Sequence, residues 1–146
     1  MTHQDHETAA NIAAARTFEG IPASHHQVPW RSIGDLLASR AAATPDAEWL
    51  AFFNDQSSTA TRLSYAAFAA RAARIANALV THFGVRRGER VATLLYNHSE
   101  TVAVYMACWM IGATVAPQNS GEDDQRIGFI LRNAEARVLI TWPEYL

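Results

Sequence analysis

The segment from Arg90 to Pro117, RVATLLYNHSETVAVYMACWMIGATVAP, constrains the fold more than any other part of the chain. An apolar run without alternation leads through a short polar turn into an apolar stretch of helical length, and then into a second apolar run. This order is typical of a β-α-β unit, whose parallel strands are joined by a right-handed crossover helix. A further helical pattern, GEDDQRIGFILRNA, and a third apolar run, RVLIT, follow. We therefore predict an α/β layered fold with a partial parallel sheet built from a β-α-β-α-β unit, its strands buried on both faces.

The N-terminal part of the chain has a different character. Residues 1–29 are rich in alanine and polar side chains, which predicts a flexible arm with at most a short helix from about Asn11 to Phe18. Residues 30–146 carry the regular patterns and form the second predicted region. There Ser32 is placed to cap a helix that stops before Pro45.

Two β-prone runs and a long helix come next in the sequence. EWLAFFND and ATRLSY flank the polar turn 55–59, which predicts a β-hairpin. Ser64 then predicts the N-cap of a longer helix, and Gly84 is placed to end it. Gly88 lies in the following turn, where we expect a positive φ angle.

Composition excludes several classes of protein. Hydrophobic residues make up 49% of the chain, which argues against global disorder, and the net charge of −2 argues against nucleic-acid binding. No apolar run reaches the roughly 18 residues of a membrane span. The N-terminus has no apolar core typical of a secretory signal, so we expect a cytoplasmic protein. The sequence contains no lysine, so any mechanism that needs a lysine would be incomplete in this chain.

The turn Tyr96–Glu100, YNHSE, stands where a phosphate-binding loop would follow the first strand of a nucleotide site. Phosphate loops need glycines, so that backbone N–H groups can approach the ligand, and this turn has no glycine. Its residues predict a helix start instead, with Ser99 as the N-cap and Glu100 in the first turn. His98 could act as a general base. However, no nucleophile or orienting acid stands at a spacing that would indicate a catalytic site, which favours a solvated or capping role for this histidine.

Two features suggest metal binding, although a structural role is the better interpretation of each. The histidine pairs His3/His6 and His25/His26 lack a supporting cysteine or carboxylate constellation, so we interpret them as solvated side chains. The acids of Gly121–Asp124 could hold Mg²⁺, yet consecutive acids at a helix start usually complement the helix dipole.

A basic turn and a lone cysteine complete the candidates. The segment Gly84–Arg90, GVRRGER, could receive an anion, but its position between a helix and a strand predicts a turn with arginines that are solvated or paired with Glu89. Cys108 excludes an internal disulfide because it is the only cysteine. It lies among apolar helical residues, which favours an inert buried thiol over a nucleophile.

From Ile33 to Leu146 the chain resembles the beginning of the adenylate-forming ligase family, which includes the acyl-CoA synthetases. Each matching piece is a degenerate pattern, but five stand in the right order at the right spacings. The pieces are LLASRAAATPD, RLSYAAFAARAARIANAL, GVRRGERVATLLYNHSE, ACWMIGATVAPQN and IGFILRNAEARVLIT. The resemblance implies an N-terminal subdomain of an AMP-dependent ligase over residues 30–146, and it leaves the arm unmatched.

The resemblance also implies a chemistry. Such ligases use ATP and Mg²⁺ to activate a carboxylic acid as an acyl-adenylate and then transfer the acyl group to a thiol, commonly that of coenzyme A. The family's Ser/Thr/Gly-rich loop, its aromatic-Thr-Glu segment, its ribose-binding Asp and its C-terminal lysine have no counterpart in this sequence. We therefore assign no catalytic, cofactor-binding or metal residue here, and expect the chain to need the remainder of the ligase domain.

Two hypotheses of different classes remain. The first is an N-terminal scaffold fragment of an acid–CoA ligase, inactive alone. Within it, a free-standing ligase is favoured over a nonribosomal-peptide-type adenylation domain, because the arm shows no carrier or condensation module. The second is a non-catalytic binding or assembly module that retains the ligase scaffold. No nucleic-acid or membrane-spanning partner is expected for either.

Overall fold

The computed structural model describes residues 3–18, 20–22, 25–54 and 60–145. The chain divides into two units, Met1–Arg31 and Ser32–Leu146. In the first unit, helix α1 (His3–Ala15) is followed by the short antiparallel strands β1 (Thr17–Phe18) and β2 (Ile21–Pro22). The predicted helix from Asn11 to Phe18 is therefore wrong at both ends. The alanine-rich sequence also favours a helix in the residues before Asn11. The helix ends at Ala15, and the chain then reverses direction at Gly20, whose φ angle is 77°.

The second unit contains the predicted elements. Their order is α2 (Ile33–Ala43), β3 (Glu48–Phe52), β4 (Thr61–Ser64), α3 (Tyr65–Thr81), β5 (Arg90–Leu94), α4 (Ser99–Met110), β6 (Thr114–Gln118), α5 (Asp124–Asn133) and β7 (Ala136–Thr141), closed by a 3₁₀ turn at Pro143–Tyr145. Strands β3 and β4 pair antiparallel as the predicted hairpin, whose turn 55–59 lies outside the described residues. The predicted caps are confirmed, because Ser32 Oγ accepts from the Asp35 N–H and Ser64 Oγ from the Ala67 N–H.

The parallel sheet has the strand order β6-β5-β7, so the first strand of the β-α-β-α-β unit lies in the middle. Val91 is in register with Val115 on one side and with Val138 on the other. The chain steps from β5 to one neighbour and then crosses to the other. Right-handed crossovers therefore place α4 and α5 on opposite faces of the sheet.

Helix α4 lies at the centre of the hydrophobic core. Together with α3, it forms a layer on the face of the sheet that carries Val91 and Val138, and on its other side it meets α2 and the hairpin. Phe68 and Cys108 are fully buried in this packing. Although α4 is apolar, it has only 12 residues, and no described helix is both long enough and apolar enough to cross a bilayer.

The prediction that all three parallel strands are buried on both faces is correct only for β5. Residues Val91–Leu94 are buried, whereas β6 exposes Thr114 and Pro117, and β7 exposes Arg137 and Leu139. The strand order is the reason, because among the described residues β6 and β7 each pair with a strand on one side only. In addition, α5 buries none of its own residues, so it covers its face of the sheet incompletely.

Candidate functional site

The carboxyl end of the parallel sheet is the first place to look for a site, because ligands of open α/β sheets bind there. The turn Tyr96–His98 follows β5, Gln118 ends β6, and Trp142 follows β7. Since α4 and α5 leave toward opposite faces, the connections after β5 and β6 diverge at this edge. The topology thus defines a candidate crevice between two neighbouring strand ends.

An aromatic cluster occupies one side of this edge. The rings of Tyr96 and Trp142 stack with centroids 4.9 Å apart, and the His98 ring meets Trp142 edge-on at 5.1 Å. Phe52 of the hairpin approaches His98 with a centroid distance of 4.7 Å. Desolvation, followed by the charge of the Glu144 carboxylate, raises the pKa of the Tyr96 phenol above its ordinary value. The cluster is thus a stacking surface that joins the hairpin to two strand ends.

His98 is the N-cap of α4, which corrects the prediction that Ser99 caps this helix. The backbone N–H of Glu100 donates to Nδ1 of His98 at 3.1 Å, and Ser99 becomes the first helical residue, with 3% exposure. The side chain of either Ser99 or His98 could accept a hydrogen bond from a backbone N–H of the first turn. The ring contacts of His98 with Phe52 and Trp142 hold the imidazole in the capping position, which confirms the capping alternative for this histidine.

At this edge of the sheet, the chain's own side chains occupy the starts of α4 and α5, where an anion could otherwise bind. Glu100, in the first turn of α4, accepts a hydrogen bond from Arg71 Nε at 2.8 Å and forms an ion pair with the same guanidinium. At the start of α5, Asp123 accepts the N–H of Arg126 at 2.8 Å and lies between Glu122 and Asp124. Each start thus has a capping side chain and a carboxylate in its first turn, which disfavours the binding of a phosphate.

Two buried polar groups at this edge were missed by sequence reasoning. Gln118 is 7% exposed, and its Oε1 has no hydrogen-bond partner among the described residues. Its Nε2 donates to the Ala116 carbonyl at 3.0 Å. Trp142 Nε1 is likewise buried and unpartnered within the described part of the chain. The only sequence signal was position, because both residues stand at or directly after the end of a parallel strand.

The basic turn and the cysteine have structural roles. Gly88 adopts a φ angle of 86°, as predicted for the turn before β5, and Gly84, which follows α3, has a φ angle of 65°. Glu89 accepts the backbone N–H of Arg86 at 2.7 Å, so it pairs with the turn itself, and it forms no ion pair with an arginine of the described part of the chain. Burial raises the pKa of the Cys108 thiol to about 11, which makes it a poor nucleophile.

The acidic segment and the histidine pairs were the two candidates for metal binding. Among the described residues, no group of three or more His, Cys, Asp or Glu side chains could hold a metal ion. His6, His25 and His26 are exposed, and the side chain of His3 lies outside the described part. The acids Glu122–Asp124 lie at the start of α5, where Asp123 is the N-cap and Asp124 is in the first turn, as the helix-dipole interpretation predicts.

The fold and the candidate site together define a class of protein. It has a parallel α/β scaffold, side chains that cap the starts of α4 and α5, and an aromatic cluster at the carboxyl end of the sheet. The comparisons with known proteins give the family. Residues 37–145 match the model of the AMP-binding enzyme family, and the chain belongs to that family. This confirms the resemblance seen in the sequence.

Individual relatives support the same family. A long-chain-fatty-acid–CoA ligase of Mycobacterium tuberculosis, FadD13, is 31% identical over 110 residues, which cover 75% of this chain and 21% of the relative. A feruloyl-CoA synthase of an Amycolatopsis species is 39% identical over 85 residues, covering 58% and 17%. The chain therefore spans about a fifth of the length of these curated relatives.

A solved structure of the N-terminal domain of FACL13 from Mycobacterium tuberculosis superimposes with a TM-score of 0.66 at 30% identity. The match covers 76% of this chain and 27% of that domain. The scaffold described above is thus shared with about a quarter of an N-terminal domain of this kind.

Proposed function

We propose that residues 30–146 form the N-terminal scaffold of the large domain of an ATP-dependent acid–CoA ligase, with residues 1–29 as an arm outside that domain. The complete enzyme would form an acyl-adenylate from a carboxylic acid and then transfer the acyl group to coenzyme A. The observation that carries the proposal is the family match over residues 37–145, together with the names of the two relatives given above, a long-chain-fatty-acid–CoA ligase and a feruloyl-CoA synthase.

The residues present here do not fit ATP, Mg²⁺ or coenzyme A by themselves. The starts of α4 and α5 are occupied by His98 and Asp123, and their first turns carry carboxylates that would repel a phosphate. We therefore infer that the phosphate-binding and acid-activating groups come from the remainder of the ligase domain. The contribution of this chain would be to build and support the central sheet.

We also propose a cytoplasmic location. The one cysteine excludes an internal disulfide, which is compatible with a reducing compartment.

The direct test is ATP–pyrophosphate exchange with a panel of aliphatic and aromatic carboxylic acids. The purified chain should show no acid-dependent exchange. A chimera in which this chain replaces the matching segment of the Mycobacterium tuberculosis ligase should show exchange. Reproducible exchange by the chain alone would overturn the proposed scaffold role.

The competing hypothesis, a non-catalytic assembly module, predicts different behaviour in solution. A module should give a monodisperse species in size-exclusion chromatography with light scattering, and a cooperative thermal melt without hydrophobic-dye binding. A scaffold with half-covered edge strands should bind the dye and self-associate, because no strand of the described residues pairs with the outer edges of β6 and β7.

A further inference from the structure

A polar cavity lies at the amino end of the parallel sheet, with a volume of about 490 Å³. The end of α3 and the turn before β5 form one side of it, and the start of β7 forms the other. The charged side chains in its lining are those of Arg86, Glu89 and Arg137. A second cavity of about 480 Å³ shares Glu89 and Arg137 with it. We call the first of these the amino-end cavity.

The two arginines of this cavity have no carboxylate partner among the described residues. Both are exposed, and neither forms an ion pair within that part of the chain. The neighbouring acids have other contacts, because Glu89 accepts the backbone N–H of Arg86 and Glu135 pairs with Arg90. Two guanidinium groups against the one carboxylate of Glu89 leave the lining of the cavity positively charged.

The turn that carries Arg86 is held in place by its neighbours. Val85 is 2% exposed, and its N–H donates to the Leu79 carbonyl at 2.9 Å. The N–H of Arg86 donates to the Glu89 carboxylate at 2.7 Å, while the N–H of Glu89 donates back to the Arg86 carbonyl at 3.1 Å. The backbone at Arg86 is therefore fixed before a ligand arrives, which lowers the entropy that binding would cost.

Arg137 is directed toward this turn by an irregularity in β7. The register with β5 shifts by one residue at this point, and the pairs on either side are Arg90 with Ala136 and Val91 with Val138. An extra residue of this kind redirects a side chain, and such bulges are common beside functional sites. Nη2 of Arg137 lies 3.6 Å from the position that a Cβ atom on Gly84 would take. The guanidinium of Arg137 thus reaches across to the segment that follows α3.

The chemistry of the lining favours an oxyanion. A guanidinium group can donate two parallel N–H bonds to the oxygens of a phosphate, and it stays charged at all physiological pH values. The apolar part of the lining is small, since it consists of Val80 and Val85. The cavity is also separate from the aromatic cluster at the carboxyl end, because the five residues of β5 place about 15 Å between the two ends of the sheet.

We propose that the amino-end cavity binds a phosphate group between the guanidinium groups of Arg86 and Arg137. The group is either inorganic phosphate or the phosphoryl end of a phosphomonoester. This site does not depend on the proposed function, because a ligase scaffold and a non-catalytic module would both contain it. It gives the basic turn a ligand-binding role in addition to its structural one.

Protection from phenylglyoxal, a reagent that modifies arginine, tests the proposal on the purified chain. Peptide mass spectrometry follows each arginine separately, so the exposed Arg74 on α3, outside the cavity, serves as the internal control. Compared with chloride at the same ionic strength, saturating inorganic phosphate should slow the modification of Arg86 and Arg137 by about tenfold or more and leave Arg74 unchanged. Equal slowing of all three arginines, or of none, overturns the proposal.

Variants test whether the two arginines act on one ligand. Arg137→Gln should remove the protection of Arg86 by phosphate, whereas Arg74→Gln should leave it intact. Arg137→Lys should keep part of the protection, because it retains the charge and loses the paired N–H donors. Protection of Arg86 that survives Arg137→Gln overturns the shared site. Resistance of Arg86 and Arg137 to the reagent in chloride would show a closed cavity and overturns it as well.

The choice of anion identifies the source of the phosphate group. Protection by glucose 6-phosphate at a concentration about tenfold below that of inorganic phosphate would identify a phosphomonoester, and protection by inorganic phosphate alone would identify the free ion. Both results support the site. Protection by an oligoaspartate peptide but by neither phosphate compound would identify an acidic protein segment as the ligand, and that result overturns the proposal.

Discussion

Helices α4 and α5 both connect parallel strands of one sheet, yet they lie in very different surroundings. Helix α4 has six buried residues, whereas α5 has none. Helix α4 is apolar around most of its circumference and is packed by α3 and α2. Helix α5 has an apolar stripe, Ile127, Ile130 and Leu131, that is only half-buried, and its outer face is polar apart from the exposed Phe129. Position within the unit does not decide burial; the number of neighbouring layers does.

The comparison also shows where the scaffold is incomplete. A helix that is apolar all round is normally buried on all sides. Helix α4 nevertheless leaves Val102 and Trp109 partly exposed, on the side that faces β3. This side of α4 is the exception in a helix that is otherwise packed by neighbouring elements.

The largest expected effect is a loss of stability when one apolar side chain is truncated in α4, compared with the same kind of truncation in α5. Met106 is 6% exposed, so Met106→Ala should reduce the free energy of unfolding by about 2–5 kcal/mol, through lost burial and a cavity. Leu131→Ala on α5 should cost about 1 kcal/mol, because the side chain is already half in water. Chemical denaturation measures both. Equal losses would contradict the contrast between the helices.

The second prediction concerns pH and Cys108. Burial raises its pKa from 9.0 to about 11, so the unfolded chain releases the thiol proton at a lower pH than the folded chain does. Stability from this group is complete below pH 9 and is lost as the pH rises toward about 11, a change of about 2–3 kcal/mol. Denaturation curves at several pH values measure it.

Cys108→Ala supplies the control, because it should remove this part of the pH dependence. A thiol reagent should label Cys108 only when the protein opens, whereas Gln125→Cys on exposed α5 should react at once in the Cys108→Ala background. Rapid labelling of native Cys108 would contradict its placement in the core.

The third prediction compares the two helix starts. His98→Ala should reduce the free energy of unfolding by about 1 kcal/mol, because the Glu100 N–H loses its acceptor, and His98→Asn should restore most of it. Asp123→Ala should cost a similar amount at α5. If His98→Asn proves much worse than Asp123→Ala, the aromatic contacts of His98 matter more than the cap.

The smallest expected effect is at the ion pair that joins α3 to α4. Glu100→Gln removes the charge that pairs with Arg71, in a partly exposed setting, and should cost about 0.5–1 kcal/mol. Glu122→Gln, before α5, should change stability less, because no ion pair is recorded for Glu122 among the described residues. High salt should shrink the difference between the two variants, which thermal melts can follow.

Much of the fold was predictable from local signals. The caps at Ser32 and Ser64 and the positive φ of Gly88 follow from residue chemistry within a few positions. The N-cap of α4 was not predictable in the same way. Ser99 and His98 are both suitable caps, and contacts with Phe52 and Trp142, about 45 residues away on either side, select the histidine.

The sequence by itself determined the β-α-β-α-β pattern, the hairpin and the lack of a phosphate loop, because periodicity, capping and glycine placement act over short stretches of chain. Only the tertiary structure decided the order β6-β5-β7, and with it which strands are buried. It also decided the aromatic cluster and the apolar cavity between β3 and α4. The physical reason is the same for all three: each depends on contacts between residues far apart in the chain, and side-chain burial follows from how many layers pack around a segment.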